Sequence, residues 1–262
     1  MSAPWTVDVD RYLDRLGLDR PEATDLAALA ALQRAHLVRV PFENLDIVFA
    51  GGVAHDRRRA FDKIVSGRGG WCFEVNGAFG LLLDALGYDV RLLGAAVLLG
   101  GPTTVIEHLL LEVSGGDGNL DPHLVDVGFG DSFTVPVPLN QRGPLDGGSA
   151  TFELLASPQG TTLAEHVDGV PEARLRFKRV AHDFDDFDAI ATSMQIDPDK
   201  NWHRKPFATR LTGHGDDRVW LNHDALKLRR SGDVEERPVE RDEWDALLDE
   251  WFAMRRPGPW PD

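Results

Sequence analysis

Up to Gly87 the apolar residues recur at three- and four-residue spacing, and beyond it they alternate or run in short blocks. Tyr12, Leu13 and Leu16 predict a short helix ending at Gly17. Leu26, Leu29, Ala30 and Leu32 predict a second, with Asp25 placed to cap it. Val40-Pro41 interrupts the pattern, because proline restrains its own φ and disfavours helix at the residue before it. Phe61, Ile64 and Val65 give one more helical turn, after an Arg57-Arg58-Arg59 run that reads as a solvated turn. The strongest period is Phe79, Leu82, Leu83 and Leu86, closed by Gly87 and opened by Gly69-Gly70-Trp71-Cys72.

Strand-length blocks follow at 90–99, 105–113 and 124–127, with a Gly-rich turn between the last two. Residues 135–138 carry prolines, which suits an edge or linker, and 139–149 read as a Gly-rich loop. Further strands are expected at 151–155 and at 173–180, where Ala173, Leu175 and Phe177 alternate with Arg174, Arg176 and Lys178. The acidic stretch 183–188 reads as loop. A last block begins near Ile190, with strands around 209–212, 218–221 and 225–229. Asp242 is then placed to cap a final helix whose Trp244, Leu247, Leu248, Trp251 and Phe252 share one face. The pattern predicts an α+β protein with a helical block, a β block and a smaller α/β block.

A chain of 262 residues can bury a large core, and 42% hydrophobic content is ordinary for a globular protein. The net charge of −15 argues against a nucleic-acid or anionic-membrane surface. One cysteine excludes an internal disulfide and suits a reducing compartment. No apolar run approaches the length of a membrane span, and Met1 to Trp5 do not open a signal peptide, so the expected location is cytoplasmic. His and Cys show no ligand spacing, so no metal is expected.

The candidate chemistry centres on Cys72. At a helix start it feels the positive end of the helix dipole, and the glycines before it are expected to leave room for a substrate near the sulfur. A lone cysteine also packs as a small inert hydrophobe, so the reading needs a base. Among nine histidines, His108 stands out inside an apolar strand, and the next strand carries Asp126 in similar surroundings. A hairpin centred on Asp117 would set positions 108 and 126 directly opposite each other, on one face. Nucleophile, base and orienting carboxylate then form a set. Gly128-Phe129-Gly130 follows the strand and offers backbone N–H groups to a ligand, but a bare Gly-x-Gly is a poor nucleotide fingerprint. Residues 199–207 mix cations with aromatics, as a phosphate- and adenine-binding loop or an ordinary surface loop would.

Four stretches carry a resemblance: Tyr12-Leu13-Asp14-Arg15-Leu16-Gly17, Val40-Pro41-Phe42-Glu43-Asn44-Leu45, Arg68-Gly69-Gly70-Trp71-Cys72-Phe73-Glu74-Val75-Asn76 and Val125-Asp126-Val127-Gly128-Phe129-Gly130. In this order they resemble the arylamine N-acetyltransferases. The resemblance implies a three-domain α+β fold: a helical bundle at 1–88, a β-barrel at 89–189 and an α/β lid at 190–262. A cysteine-protease-like Cys72-His108-Asp126 core would lie between the first two. It also implies a substrate pocket near Glu107, Phe129, Gly128 and Gly130, a coenzyme A contact at Thr104, and charged neighbours Arg68, Glu43 and Glu74 that pair with one another. The activity implied is ping-pong acetyl transfer from acetyl-coenzyme A, a co-substrate and not a resident cofactor, to an arylamine or hydrazine. The likeness fades after about residue 185. Residues 201–207 lack the serines of many relatives, and Asp131 stands where a small or basic residue is common. An amide synthase, a cysteine hydrolase and a non-catalytic binding protein are the rival functions.

Overall fold

In the computed structural model, which describes residues 5–116 and 118–261, the change of period becomes a change of architecture. The first part holds α1 (Val9–Leu16), α2 (Leu26–Arg39), the short strand β1 (Phe42–Glu43), α3 (Leu45–Phe49), α4 (Arg57–Val65) and α5 (Cys72–Ala85). Asp8, Asp25 and Asp56 each accept a hydrogen bond from the N–H three residues on, closing the open ends of α1, α2 and α4. Each such cap contributes about 1 kcal/mol. α5 is buried on nearly every side and forms the axis of the largest apolar core, with Phe79, Leu82 and Leu83 fully covered. It ends as expected, Gly87 following at φ +99°. The arginine run is solvated at Arg58 and Arg59 as expected, but it is helical. It is the first turn of α4, and Arg57 donates to the Gly77 carbonyl at 3.3 Å and lies over the Phe184 ring.

The β block is one antiparallel sheet of β2 (Tyr88–Val97), β3 (His108–Gly115), β4 (His123–Val125), β5 (Val137–Pro138), β6 (Leu145–Asp146), β7 (Thr151–Ser157), β8 (Gly160–Val167) and β9 (Val170–Phe177). Its order is β5-β4-β3-β2-β9-β8-β7-β6. Val137 and Leu145, from its two edges, enter the same core as Leu93, Leu110, Phe152 and Leu175, so the sheet curls into a nearly closed barrel. β3 lines two cores at once: Leu110 points into the barrel, while Leu109 and Leu111 pack against the helices. β6 lies in the stretch expected to be loop, and β8 has no counterpart in the sequence reading; its Thr161 and Thr162 break the apolar pattern. β3 begins at His108 and not at 105, because Val105 and Ile106 are exposed.

The acidic stretch forms a 3-10 turn (Phe184–Phe187) leading into α6 (Asp188–Ile196), with Phe184 and Phe187 buried. A second sheet has the order β1-β10-β11-β12-β13, comprising β1 with β10 (Ala208–Leu211), β11 (Arg218–Leu221), β12 (Ala225–Arg230) and β13 (Asp233–Pro238). Phe42 and Glu43 pair with Thr209 and Ala208, so a strand from the helical part is the edge of this sheet. α7 (Trp244–Phe252) packs on it through Trp244, Leu248 and Phe252. Glu243, not Asp242, occupies its N-cap, without a side-chain cap bond. Every residue of β13 is exposed, which explains why no burial pattern marks it.

Candidate active site

The start of α5 is shaped by backbone contact. Glu43 donates its N–H to the Gly70 carbonyl at 3.0 Å, and Gly70 donates to the Pro41 carbonyl at 3.2 Å. A Cβ at Gly69 would sit 2.2 Å from the Pro41 oxygen, and one at Gly70 would sit 2.8 Å from Glu74. These glycines therefore admit a neighbouring strand and the Glu74 side chain, not a substrate, which corrects the sequence expectation. Cys72 is the first residue of α5 and only 2% exposed.

His108 and Asp126 are not directly opposed. β3 and β4 pair Leu111 with Val125 and Glu112 with Leu124, a register two residues away from the expected one, and Asp126 lies just beyond β4. Asp117, the expected centre of the hairpin, is outside the described residues. Because strand side chains alternate with period two, a slip of two preserves the face expected at each position, and the two side chains still meet. His108 Nε2 donates to Asp126 Oδ2 at 2.7 Å, with both residues 3% exposed. Asp126 Oδ1 accepts from Asn76 Nδ2 and from the Gly128 N–H, each at 2.8 Å. Asn76 also donates to the Leu109 carbonyl (2.7 Å) and accepts from the Val127 N–H (2.9 Å). One α5 side chain thus ties the strand bearing His108 to the loop bearing Asp126. Asn76 lies one helical turn after Cys72, a spacing that could have flagged it from sequence.

Burial by itself would push the His108 imidazole down from its ordinary 6.5. The Asp126 carboxylate and a hydrogen bond with the Cys72 thiol outweigh burial and hold it up at about 10. Gly128 brings the loop against the helix: a Cβ there would fall 2.8 Å from the Cys72 Cα, so only glycine fits.

Cys72, His108, Gly128 and Phe129 open on one cavity of about 230 Å³, completed by Glu107 and Trp202 among others. The Phe129 ring meets His108 edge-on at 5.4 Å. Val97, Glu107, Met194 and Lys200 also line an adjoining outer depression of about 560 Å³. Thr103 and Val105 face that depression, while Thr104 and Ile106 turn to a separate one with Arg176 and Lys178. The structure therefore does not bring Thr104 to the thiol. Gly130, at φ +97°, is set against Phe42 and Thr209, and the Gly128 N–H is committed to Asp126.

The expected ion pair among Arg68, Glu43 and Glu74 does not form; Glu43 and Glu74 pair with a lysine and Arg68 with an aspartate that the sequence reading overlooked. Lys63 Nζ lies 2.8 Å from Asp46, 3.0 Å from Glu74 and 3.5 Å from Glu43, and Arg68 bonds Asp46 at 2.8 Å. Burial, reinforced by Glu43, lifts Glu74 to about 7 despite Lys63. No hydrophobic period marks Lys63, because its stem is covered while its head reaches the acids. Asp131 forms a two-pronged pair with Arg229 at 2.9 and 3.0 Å, joining the barrel rim to the second sheet. Among the described residues no His, Cys, Asp and Glu group is arranged to hold a metal ion, and no helix is long and apolar enough to cross a membrane.

Residues 25–256 match the family described as N-acetyltransferase. A curated arylamine N-acetyltransferase of Mycolicibacterium smegmatis is 40% identical over 148 residues, covering 53% of this chain and 52% of that protein. Proansamycin X synthase of Amycolatopsis mediterranei is 33% identical over 165 residues, covering 60% and 61%. In sequence, then, the match with the first of these relatives spans about half of that protein's length. In structure the likeness is wider. The arylamine N-acetyltransferase of Mycobacterium marinum, in two solved structures of which the second is a complex with CoA, superimposes with TM-scores of 0.85 and 0.83 at 28% identity, over 94% of this chain and 92% of that one.

Proposed function

This chain belongs to the arylamine N-acetyltransferase family, and from that premise we propose that it transfers acetyl from acetyl-coenzyme A to an arylamine or arylhydrazine nitrogen through acetyl-Cys72. The observation that carries the reading is one cavity shared by Cys72 and a His108 whose charge is held by Asp126. His108 holds the thiol proton as an imidazolium, which Asp126 stabilises and orients. The Cys72 sulfur attacks the thioester carbonyl; the C–S bond to coenzyme A breaks, and the departing thiolate receives the proton from His108. Backbone N–H groups of the first turn of α5, which a helix leaves without intrahelical partners, serve as donors to the developing oxyanion. A weakly basic arylamine is neutral at pH 7, so its lone pair attacks acetyl-Cys72 directly. Its surplus proton passes to His108, and the C–S bond to Cys72 breaks to return the enzyme.

Acetyl-coenzyme A is a co-substrate, and no group is held permanently. The match to Proansamycin X synthase favours a second reading, in which the same residues serve an amide synthase with another acyl donor. A cavity of about 230 Å³ suits a single-ring acceptor and argues for the first. Initial rates with acetyl-coenzyme A and an arylamine should give parallel double-reciprocal lines. Intersecting lines would require both substrates to bind before any chemistry and would exclude the intermediate.

A further inference from the structure

Glu107 and Lys200 meet where the thiol cavity opens into the outer depression, and both line each of them. Lys200 Nζ donates to Glu107 Oε2 at 2.6 Å, the one hydrogen bond to that carboxylate among the described residues. The partners differ in freedom. Glu107 is next to His108, its N–H is bonded to the Ala95 carbonyl at 3.0 Å, and its side chain is 14% exposed. Lys200 belongs to the connection between α6 and β10 and is 41% exposed. That connection keeps other anchors: Asn44 donates to the carbonyls of Trp202 (2.8 Å) and Lys205 (2.9 Å) and accepts from the Phe207 N–H (2.8 Å). Lys200 can therefore leave Glu107 while Trp202 stays over the cavity. With Lys200 withdrawn, the acids Glu107 and Asp197 dominate the outer depression, in a chain of net charge −15.

We propose that this pair selects the acceptor by charge: Glu107 receives a cationic substituent on the ring, opposite the attacking nitrogen, and Lys200 is the counter-ion it displaces. The proposal rests on the acetyl-transfer reading above. The cavity is about one aromatic ring in extent, so an amine placed at Cys72 sets its far substituent against the wall that Glu107 forms. Exchanging one cation for another leaves Glu107 paired, whereas an anionic substituent faces Glu107 and Asp197 and must pull Lys200 out of its pair.

The test uses three anilines with the same methylene spacer para to the amine: 4-aminobenzyltrimethylammonium, 4-aminobenzyl alcohol and 4-aminophenylacetate. The wild-type protein should give kcat/KM in the order cation, neutral, anion. Glu107→Gln should lower the cation-to-anion ratio about fivefold, and Lys200→Met should raise it about fivefold, the size a partly exposed charge pair supports. Both changes should shrink in high salt. A ratio equal in all three proteins, or a wild-type preference for the anion, overturns the proposal. If no aniline is acetylated at all, the acetyl-transfer reading itself has failed, an outcome distinct from an unmoved ratio.

Discussion

His36 and His108 are both almost wholly covered, and their surroundings drive them in opposite directions. His36, on α2, packs at 5.0 Å from the Phe79 ring and shares a 2.9 Å hydrogen bond with the Tyr12 hydroxyl, while its Nδ1 has no partner among the described residues. Burial, with a smaller contribution from Arg15, pushes it down to about 3. His108, at the barrel rim, is as deeply covered and is held up at about 10. The main difference is one carboxylate at 2.7 Å, with the Cys72 hydrogen bond adding to it. Burial alone makes a histidine a neutral packing group; burial beside a satisfied anion makes it a proton store. A buried histidine is therefore read by its partner and not by its depth.

The strongest way to break this contrast is Asp126→Asn, which nearly preserves shape and removes the charge. His108 should fall from about 10 toward the behaviour of His36, followed by NMR titration of the ring. Turnover should drop by about a thousandfold or more, as in other triads deprived of their anion. Activity near wild type would mean that Asp126 only fills space.

Asn76→Ala sharpens the contrast by leaving the charge and loosening its seat. It deletes the bond to Asp126 Oδ1 and the partner of the Val127 N–H. A fall in kcat of about a hundredfold is expected, with His108 still titrating above its ordinary value, because misplacement and not charge is then at fault. A His108 titration that collapses as in Asp126→Asn would show that Asn76 holds the charge pair itself.

The smallest effect belongs to His36. A base whose folded pKa is depressed contributes stability that is complete above its unfolded value of 6.5 and is lost as pH falls toward 3. The melting temperature should decline through that window, and His36→Gln should flatten the decline. At pH 7 the same variant should cost about 1 kcal/mol for the lost Tyr12 bond. An unchanged acid limb would mean that other groups set the acid stability.

The helices and most strands were legible because apolar positions in them follow a period: α1 shows one in the buried Val9, Tyr12, Leu13 and Leu16, and so does β9 around Leu175 and Phe177. β13 was missed because all its residues face solvent, and α6 because its acidic entry conceals two buried phenylalanines. The Cys72, His108 and Asp126 set was reached with the wrong register, since alternation preserves the face when pairing slips by two. Lys63 and Lys200 were not legible. Long side chains carry their charge away from the backbone position that bears them, so spacing along the chain does not report where that charge arrives.

The central claim is that Cys72 carries the acetyl group between donor and acceptor. Intact-protein mass spectrometry after acetyl-coenzyme A alone tests it most directly. A gain of one acetyl group is expected, located on Cys72, absent from Cys72→Ala, and discharged when an arylamine is added with formation of its N-acetyl product. A protein whose mass stays unchanged while it still acetylates the amine would contradict the account.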